Sequence, residues 1–265
     1  MESHMNSARH PALKVLNLDV WRSGVPVVRH TSFNIWPSEI VALVGANGSG
    51  KTTLLEAVSG VVKPSEGAIQ LHGNDVTNKS RRHRNRCGLR HVRQGRRIFA
   101  DLSVEENLRV TSKNVALAYE VFPELRPKAR MRSSELSGGE QQMLVLARAL
   151  ITNPSVLLID EISLGLAPRV IQRLIGVVKS AAEAGVAILL VEQFATIALE
   201  VAETVLVLAR GQVVLEERSD VLSKDPSPLH RAYFGATAVP GREGRLPQER
   251  PRGRSNSGCS SARSR

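Results

Sequence analysis

The chain has 265 residues, a formal net charge of +11 and a hydrophobic content of 42%, with aromatic residues at 3%. This length suits one large α/β domain or two small ones, and so few aromatic residues predict a core of Val, Leu, Ile and Ala, as in helix-covered parallel sheets. The spacing of Cys87 and Cys259 indicates neither a disulfide framework nor a metal site, which favours a reducing compartment. The short apolar runs and the polar start lead us to expect no membrane-spanning segment and no secretory signal.

The positive charge is concentrated in two segments. Residues 79–97 contain nine Lys and Arg and no acid, and residues 241–265 contain seven Arg and two Glu. From residue 240 onward apolar residues nearly vanish, so this part cannot bury enough surface to offset its ordering entropy. We interpret the first segment as a solvated loop and the second as part of a disordered tail. Contact with acidic lipid headgroups or nucleic acid is the alternative.

The first two predicted strands, Leu13–Val20 and Val27–Ile35, have no helix between them and indicate an antiparallel β portion. The apolar run Ile40–Val44 is typical of a buried parallel strand, and a helix is predicted over Lys51–Val58. Further strands are predicted at Ala68–Leu71, Val156–Ile159, Ala187–Val191, Thr204–Leu208 and Gln212–Leu215. Further helices are predicted from Ser103, from Ser137 through Gln141–Leu150, and over Arg169–Ala184 and Phe194–Ala202. This alternation predicts an α/β fold with a mostly parallel, helix-covered sheet.

A glycine-rich segment joins the strand Ile40–Val44 to the next helix and matches the phosphate-binding pattern G-x-x-x-x-G-K-[ST]. Glycines let backbone N–H groups surround a phosphate, Lys51 brings a positive charge to the β- and γ-phosphates, and the Thr52 hydroxyl can bind Mg²⁺. The segment therefore predicts nucleotide binding, although kinases, GTPases and helicases share it. Its candidate residues, called the P-loop below, are Gly45, Ala46, Asn47, Gly48, Ser49, Gly50, Lys51, Thr52 and Thr53.

Two carboxylates end the predicted strand Val156–Ile159. Asp160 at the tip of a strand beside a P-loop is placed to hold the Mg²⁺ shell, and Glu161 could polarise the attacking water as a general base. A strand that ends in Asp-Glu is common by itself. The P-loop upstream is what favours the catalytic interpretation.

A second phosphate-type pattern lies at Ser137-Gly138-Gly139, directly before a predicted apolar helix. A helix start with free N–H groups and a hydroxyl attracts anions. A glycine-rich cap is the simpler interpretation of this turn alone, but two such sites far apart in one chain require an explanation.

Together, the P-loop, the Asp160-Glu161 pair and the Ser137-Gly138-Gly139 turn resemble the nucleotide-binding domain of ABC ATPases, from about Leu13 to Ala238. The resemblance implies a head-to-tail dimer with a second ABC ATPase subunit, in which Ser137 and Gly139 cap the ATP on the partner's P-loop. It also implies that Gln94 lies near Mg²⁺ and near the transmembrane permease subunits. Residues 13–238 would be the ATPase domain, with a helical subdomain at about 95–150, an N-terminal extension at 1–12 and a basic disordered tail at 239–265.

Four stretches are similar to branched-chain amino acid (Liv-type) importers, in particular to their second ATPase subunit: Arg96–Leu108, Ser137–Met143, Ser163–Pro168 and Val191–Gln193. The similarity implies uptake of branched-chain amino acids or a related small polar solute, with permease subunits and, indirectly, a periplasmic or extracellular solute-binding protein as partners. It implies a peripheral position on the cytoplasmic face of the plasma membrane and no specific nucleic acid partner. Urea and short-chain amide importers share much of the pattern. A soluble ABC ATPase that acts on nucleic acid or ribosomes is the alternative from another class.

The chain departs from this pattern around the adenine. Arg22 stands where a Tyr usually stacks on the base, so Trp21 beside it, or the planar guanidinium of Arg22, is the candidate for that contact. A Trp with only a structural role in its strand is the other interpretation.

Three more departures lie in the catalytic loops. Arg93 and Ile162 each replace a proline, so we expect a less rigid loop before Gln94 and a looser turn after Glu161. Gln193 replaces the histidine of most ABC proteins, as is common in this subgroup. The Gln193 amide can hydrogen-bond the γ-phosphate, but unlike histidine it does not gain or lose a proton near neutral pH.

Overall fold

The computed structural model describes residues 10–95 and 97–235, without the side chains of 234 and 235. Its strands are β1 (Leu13–Arg22), β2 (Val25–Ile35), β3 (Ile40–Val44), β4 (Glu66–Leu71), β5 (Asn74–Asp75), β6 (Leu89–Val92), β7 (Val156–Asp160), β8 (Ala187–Glu192), β9 (Thr204–Ala209) and β10 (Gln212–Arg218). Its α-helices are α1 (Lys51–Val58), α2 (Arg81–Arg86), α3 (Val104–Arg109), α4 (Ala116–Val121), α5 (Gly138–Leu150), α6 (Pro168–Glu183), α7 (Ala195–Val201), α8 (Ser219–Lys224) and α9 (Ser227–Gly235). Residues 1–9 of the predicted extension and the whole predicted tail, 239–265, lie outside the described residues.

The strands form two sheets. The larger one has the order β10-β9-β3-β8-β7-β6, with parallel pairing throughout except between β9 and β10. The smaller one is antiparallel, in the order β2-β1-β4-β5. Both the α/β class and the antiparallel β portion predicted from the sequence are confirmed.

The register of the parallel strands brings four strand ends to one edge of the large sheet. Val44, the last residue of β3, lies beside Glu192 of β8, Asp160 of β7 lies beside Val191, and Val92 of β6 lies beside Ile159. Ligands of open α/β sheets bind outside these carboxyl ends. The loops that follow β3, β6, β7 and β8 therefore meet at one place.

Apolar side chains cover both faces of the large sheet, which fixes this register. On one face, Leu157, Ile159 and Leu190 pack in a buried cluster with residues of α5, α6 and α7. On the other, Leu158 and Leu189 pack with α1 and with the antiparallel sheet. Valine, leucine, isoleucine and alanine dominate both clusters, as the composition predicts.

Helix starts follow the predicted chemistry at two places. Ser103 caps α3 and Ser137 caps α5, each in a capping box with a glutamate, Glu106 or Glu140. Between Arg109 and Ser137 the chain continues through α4 and short 3₁₀ turns. Within the described residues, no helix has both the length and the apolarity needed to cross a bilayer.

The prediction of a solvated loop at residues 79–97 is wrong, because most of this segment is folded. It contains α2 and β6, and the guanidinium of Arg84 is buried, with 1% of the residue exposed. Arg84 donates to the carbonyls of Ala57 and Val58, both at 2.6 Å, and of Thr77 at 2.8 Å. Burial lowers the pKa of Arg84 to about 10, so the group stays charged at neutral pH. The cation satisfies the last carbonyls of α1, which lack partners within the helix.

Replacing Arg84 with methionine keeps much of the side-chain volume but removes every donor. The buried carbonyls of Val58 and Thr77 then lose the donor that Arg84 provides, while that of Ala57 keeps the N–H of Gly60, so the free energy of unfolding should fall by about 3 kcal/mol. Urea unfolding measures this, and Arg82→Met on the exposed face of the same helix is the matched control, with a change of less than about 0.5 kcal/mol. Equal midpoints for the two variants would contradict the structural role of Arg84.

Candidate functional site

A cleft of about 470 Å³ lies at the carboxyl end of the large sheet. The loops after β3, β6, β7 and β8 and the start of α1 form its walls. Nine of its lining residues are candidates from the sequence: Asn47, Gly48, Gly50, Lys51, Thr52, Thr53, Gln94, Glu161 and Gln193. Val27 and Leu164 also line the cleft. Sequence analysis missed these two apolar residues, because nothing distinguishes them from core residues without the fold.

The P-loop has the backbone that a phosphate cradle requires. Gly48 and Gly50 have φ values of 78° and 107°, in the region that favours glycine. A Cβ on Gly50 would lie 2.8 Å from the carbonyl oxygen of Val27, and one on Gly45 only 2.2 Å from that of Leu208, whereas Gly48 faces open space. Gly45 and Gly50 thus let the loop pass close to its neighbours, and Gly48 leaves its backbone accessible to a ligand.

Lys51 lies at the start of α1 with its ammonium inside the loop. Its Nζ donates to the carbonyl oxygens of Gly45 at 2.7 Å and Ala46 at 3.0 Å. Burial lowers the pKa of Lys51, while the charges of Glu161 and Asp160 act in the opposite direction. A partly desolvated cation beside the N-terminus of an eight-residue helix favours a bound polyanion.

Asp160 ends β7 and is buried. Burial, and next the charge of Glu161, raises its pKa to about 6, against the opposing hydrogen bond from the Thr52 side chain. Its Oδ1 is buried and has no hydrogen-bond partner in the described part of the chain. A carboxylate and a hydroxyl in contact, with one buried oxygen unpaired, fit a magnesium ion, which takes one or two protein ligands and completes its shell with phosphates and water.

Glu161 follows in a left-handed backbone conformation, with φ 51°. Its N–H donates to the carbonyl of Val191 at 3.0 Å, and its Oε2 accepts from Gln94 Nε2 at 2.5 Å. Ile162, which follows, is buried in the core, and the looser turn expected without a proline stays a prediction. The two hydrogen bonds hold the general-base candidate at the cleft.

The loops after β7 and β8 are joined by a buried carboxylate. Glu192, the last residue of β8, accepts from Ser163 Oγ at 2.7 Å and from the Ser163 N–H at 3.3 Å. Burial raises its pKa, and the Ser163 hydrogen bonds only partly oppose the shift. The pair fixes the position of Gln193, the next residue, in the cleft wall. The sequence does contain a signal for this connecting role, because Glu192 is a charged residue at the end of an otherwise apolar strand.

Ser137, Gly138 and Gly139 are not among the described residues that line this cleft. Ser137 exchanges hydrogen bonds with Glu140, which also pairs with Lys128. A Cβ on Gly139 would lie 2.9 Å from a methyl group of Val170, so glycine is required for close packing of α5 on α6. The Ser137–Gly139 turn is held by contacts within its own chain, and it lies outside the P-loop cleft of that chain.

Trp21 and Arg22 lie at the end of β1, next to the hairpin that leads to β2. Trp21 is 53% exposed, and its assignment to the adenine stays a prediction. The guanidinium of Arg22 contacts the carboxylate of Glu56 on α1, with which it forms an ion pair.

These features, a phosphate cradle at a strand–helix junction with a carboxylate pair on the neighbouring strand, define a P-loop nucleoside triphosphatase. The model of the family described as "ABC transporter" matches residues 28–163. The chain belongs to this family, as the ATP-binding and ATP-hydrolysing subunit of an ABC transporter. Subunits of this kind dimerise and work with permease subunits.

Similar curated proteins include transport ATPases with different named cargoes. The chain is 36% identical, over 80% of its length and 94% of the relative, to the high-affinity branched-chain amino acid transport ATP-binding protein BraG of Pseudomonas aeruginosa. It is 31% identical to a probable branched-chain amino acid transport ATP-binding protein LivF of Archaeoglobus fulgidus, over 79% of this chain and 93% of the relative. It is 36% identical to the Nod factor export ATP-binding protein I of Burkholderia thailandensis, over 80% of this chain and 70% of the relative.

Solved structures with the same fold are ATP-binding cassettes of ABC transporters. One cassette in its ADP conformation superposes with a TM-score of 0.75 at 24% identity, over 85% of this chain and 99% of that one. A dimeric cassette with bound ADP and phosphate superposes with a TM-score of 0.70, also at 24% identity, over 78% of this chain and 98% of that one. These likenesses show the fold.

The raised pKa of Asp160 should be directly measurable. In a carboxyl-carbon NMR titration of the nucleotide-free protein, with Asp160→Asn to assign the signal, Asp160 should titrate near pH 6. Glu161→Gln should move this midpoint down, because it removes the negative charge that adds to the effect of burial. A midpoint near that of an ordinary aspartate, or one that Glu161→Gln does not move, would contradict the described environment.

Proposed function

We propose that ATP binds in the cleft with its phosphates on residues 45–53, and that Glu161 is the general base of its hydrolysis. The observation that carries this proposal is the meeting of Lys51, Asp160, Glu161 and Gln94 at one edge of the sheet. Lys51 balances the charge of the β- and γ-phosphates, and the N–H groups of the P-loop bind their oxygens. Gln193, which also lines the cleft, donates to the γ-phosphate.

Thr52 and Asp160 would hold Mg²⁺, with Gln94 close by. When bound with ATP, the ion supplies positive charge that neutralises the phosphate oxygens. In the hydrolytic step water attacks the γ-phosphorus, the proton of the water passes to Glu161, and the bond to the β-phosphate oxygen breaks to leave ADP and phosphate. Burial of Asp160 and the fixed turn at Glu161 keep these groups in place, so little reorganisation is needed.

We further propose that the site is completed by a second ABC ATPase subunit, whose Ser-Gly-Gly turn reaches the γ-phosphate. This is supported by the position of Ser137–Gly139 outside the chain's own cleft and by its preformed capping geometry. The N-terminal end of α5 then directs its positive dipole and free N–H groups at a neighbour's nucleotide.

The transported solute is proposed to be a branched-chain amino acid or a related small polar solute, taken up through separate permease subunits at the cytoplasmic face of the membrane. The names of two similar proteins support this, BraG of P. aeruginosa and LivF of A. fulgidus. Uptake of labelled leucine by vesicles that contain the permease subunits, the solute-binding protein and this chain tests the assignment. Urea in place of leucine tests the alternative solute.

Glu161→Gln tests the catalytic assignment. The amide has nearly the same shape but cannot accept the proton from water, so ATP affinity should change little while kcat falls by at least about 100-fold. Filter binding of labelled ATP and phosphate release measure the two quantities. Turnover like that of the wild type would remove Glu161 from this role.

Ser137→Arg tests the shared site. The isolated chain should bind ATP within about threefold of the wild type, because Ser137 lies outside its own cleft, whereas hydrolysis in the assembled transporter should fall by at least about 100-fold. Lys51→Ala is the contrasting variant, since it should weaken binding itself. Loss of ATP binding by a folded Ser137→Arg monomer would place the turn in the chain's own site.

A further inference from the structure

Two arginines from different parts of the chain bind the same carboxylate. Glu56 lies on α1, the helix that begins at Lys51, and its side chain is only 14% exposed. Its Oε2 accepts from Arg22 at the end of β1, and its Oε1 accepts from Arg93 Nη2 at 2.5 Å. Both arginines stand at positions where the chain departs from the ABC pattern. The ion pair joins the loop of Arg93 to α1, and the lower rigidity expected there without a proline stays a prediction.

The contact between Arg93 and Glu56 is shielded from solvent. The side chain of Arg93 is 22% exposed, compared with 44% for Arg22. An ion pair with this little exposure is screened less than a surface pair and holds its two elements more firmly. Arg93 is therefore the stronger of the two connections to Glu56.

The residue after Arg93 is Gln94, whose amide donates to Glu161 at 2.5 Å. Gly95, the residue after Gln94, has φ 90°, and no atom lies within 4 Å of the position that a Cβ would take there. The loop that carries Gln94 is thus joined to α1 through Arg93. A continuous set of contacts leads from Glu56 through Arg93 and Gln94 to Glu161.

We propose that Glu56 and Arg93 are positioning residues that keep the Gln94 amide on the carboxylate of Glu161 and so restrain hydrolysis until this contact is broken. An amide that donates to a carboxylate occupies one of its oxygens, so that oxygen cannot at the same time accept from and orient the attacking water. A base held in this way is a poorer partner for water. The inference rests on the role of Glu161 given above.

The test is a set of steady-state ATPase measurements on the full chain in the assembled transporter. Arg93→Gln should raise kcat about three- to tenfold with KM unchanged, the effect of losing part of a hydrogen bond to a charged group. Glu56→Gln should have a similar effect, and the double variant should show no further increase. Arg109→Gln, which breaks the exposed ion pair with Glu105 on α3, is the matched control and should leave kcat unchanged.

A second background separates positioning from general disturbance of the structure. If Arg93 acts through Gln94, Arg93→Gln should have no effect on kcat in a Gln94→Ala chain, whereas a purely structural role would act equally in both backgrounds. Thermal unfolding of each variant shows that it is folded. A folded Arg93→Gln variant with unchanged or lower kcat, or equal effects with and without Gln94, would overturn the proposal.

Glu161→Gln, measured in parallel, distinguishes this proposal from the function on which it rests. Full turnover in that variant would show that the catalytic assignment itself fails. Loss of turnover in Glu161→Gln together with no activation in Arg93→Gln would retain the catalytic assignment and reject the positioning role alone.

Discussion

The parallel register of β3, β8, β7 and β6 is the constraint on which the rest of the site depends. Apolar side chains on both faces lock this register, because a slip of one residue would turn every buried side chain to the wrong face. Asp160 ends one of these strands and Glu161 follows it, and the P-loop, Gln193 and Gln94 come after the others. Residues far apart along the chain are therefore brought to one edge of the sheet by packing alone. The residues at the carboxyl ends of these strands then determine the chemistry of the site.

Polar contacts then determine how the loops at this edge are held. Ser163 and Glu192 join the loops after β7 and β8, and Gln94 reaches Glu161 from the loop after β6. Each contact is between neighbouring loops, whose strands are adjacent in the sheet. Functional loops on a rigid scaffold need such connections, because their backbones lack the ladder hydrogen bonds of the strands. A movement of any one loop is thus transmitted first to its neighbour in the sheet.

Local patterns predicted the parts of the structure whose cause is local. The strand Ile40–Val44 and the helix Lys51–Val58 have the predicted bounds, and Ser103 and Ser137 cap helices as their spacing with glutamate indicates. The folding of the basic segment could not be predicted, because two of the carbonyls that accept from Arg84, those of Ala57 and Val58, lie 27 and 26 residues away along the chain. For the same reason, Glu56 could not be predicted as the partner of Arg22 and Arg93. Composition records the charge of a residue but not which group faces it.

The burial of Arg84 also changes how the electrostatic field of this protein should be understood. The cations of residues 79–97 form one dense run in the sequence, but in the fold Arg84 points inward to backbone carbonyls and Arg93 faces Glu56. An ion pair adds little to the potential outside the surface, and unpaired charges are screened over about 10 Å at moderate salt. Lys79, Arg81, Arg82, Arg86 and Arg97 remain exposed, so a long polyanion approaching this face would meet fewer free cations than the run of nine in the sequence. Within this segment, Arg84 supports the end of α1.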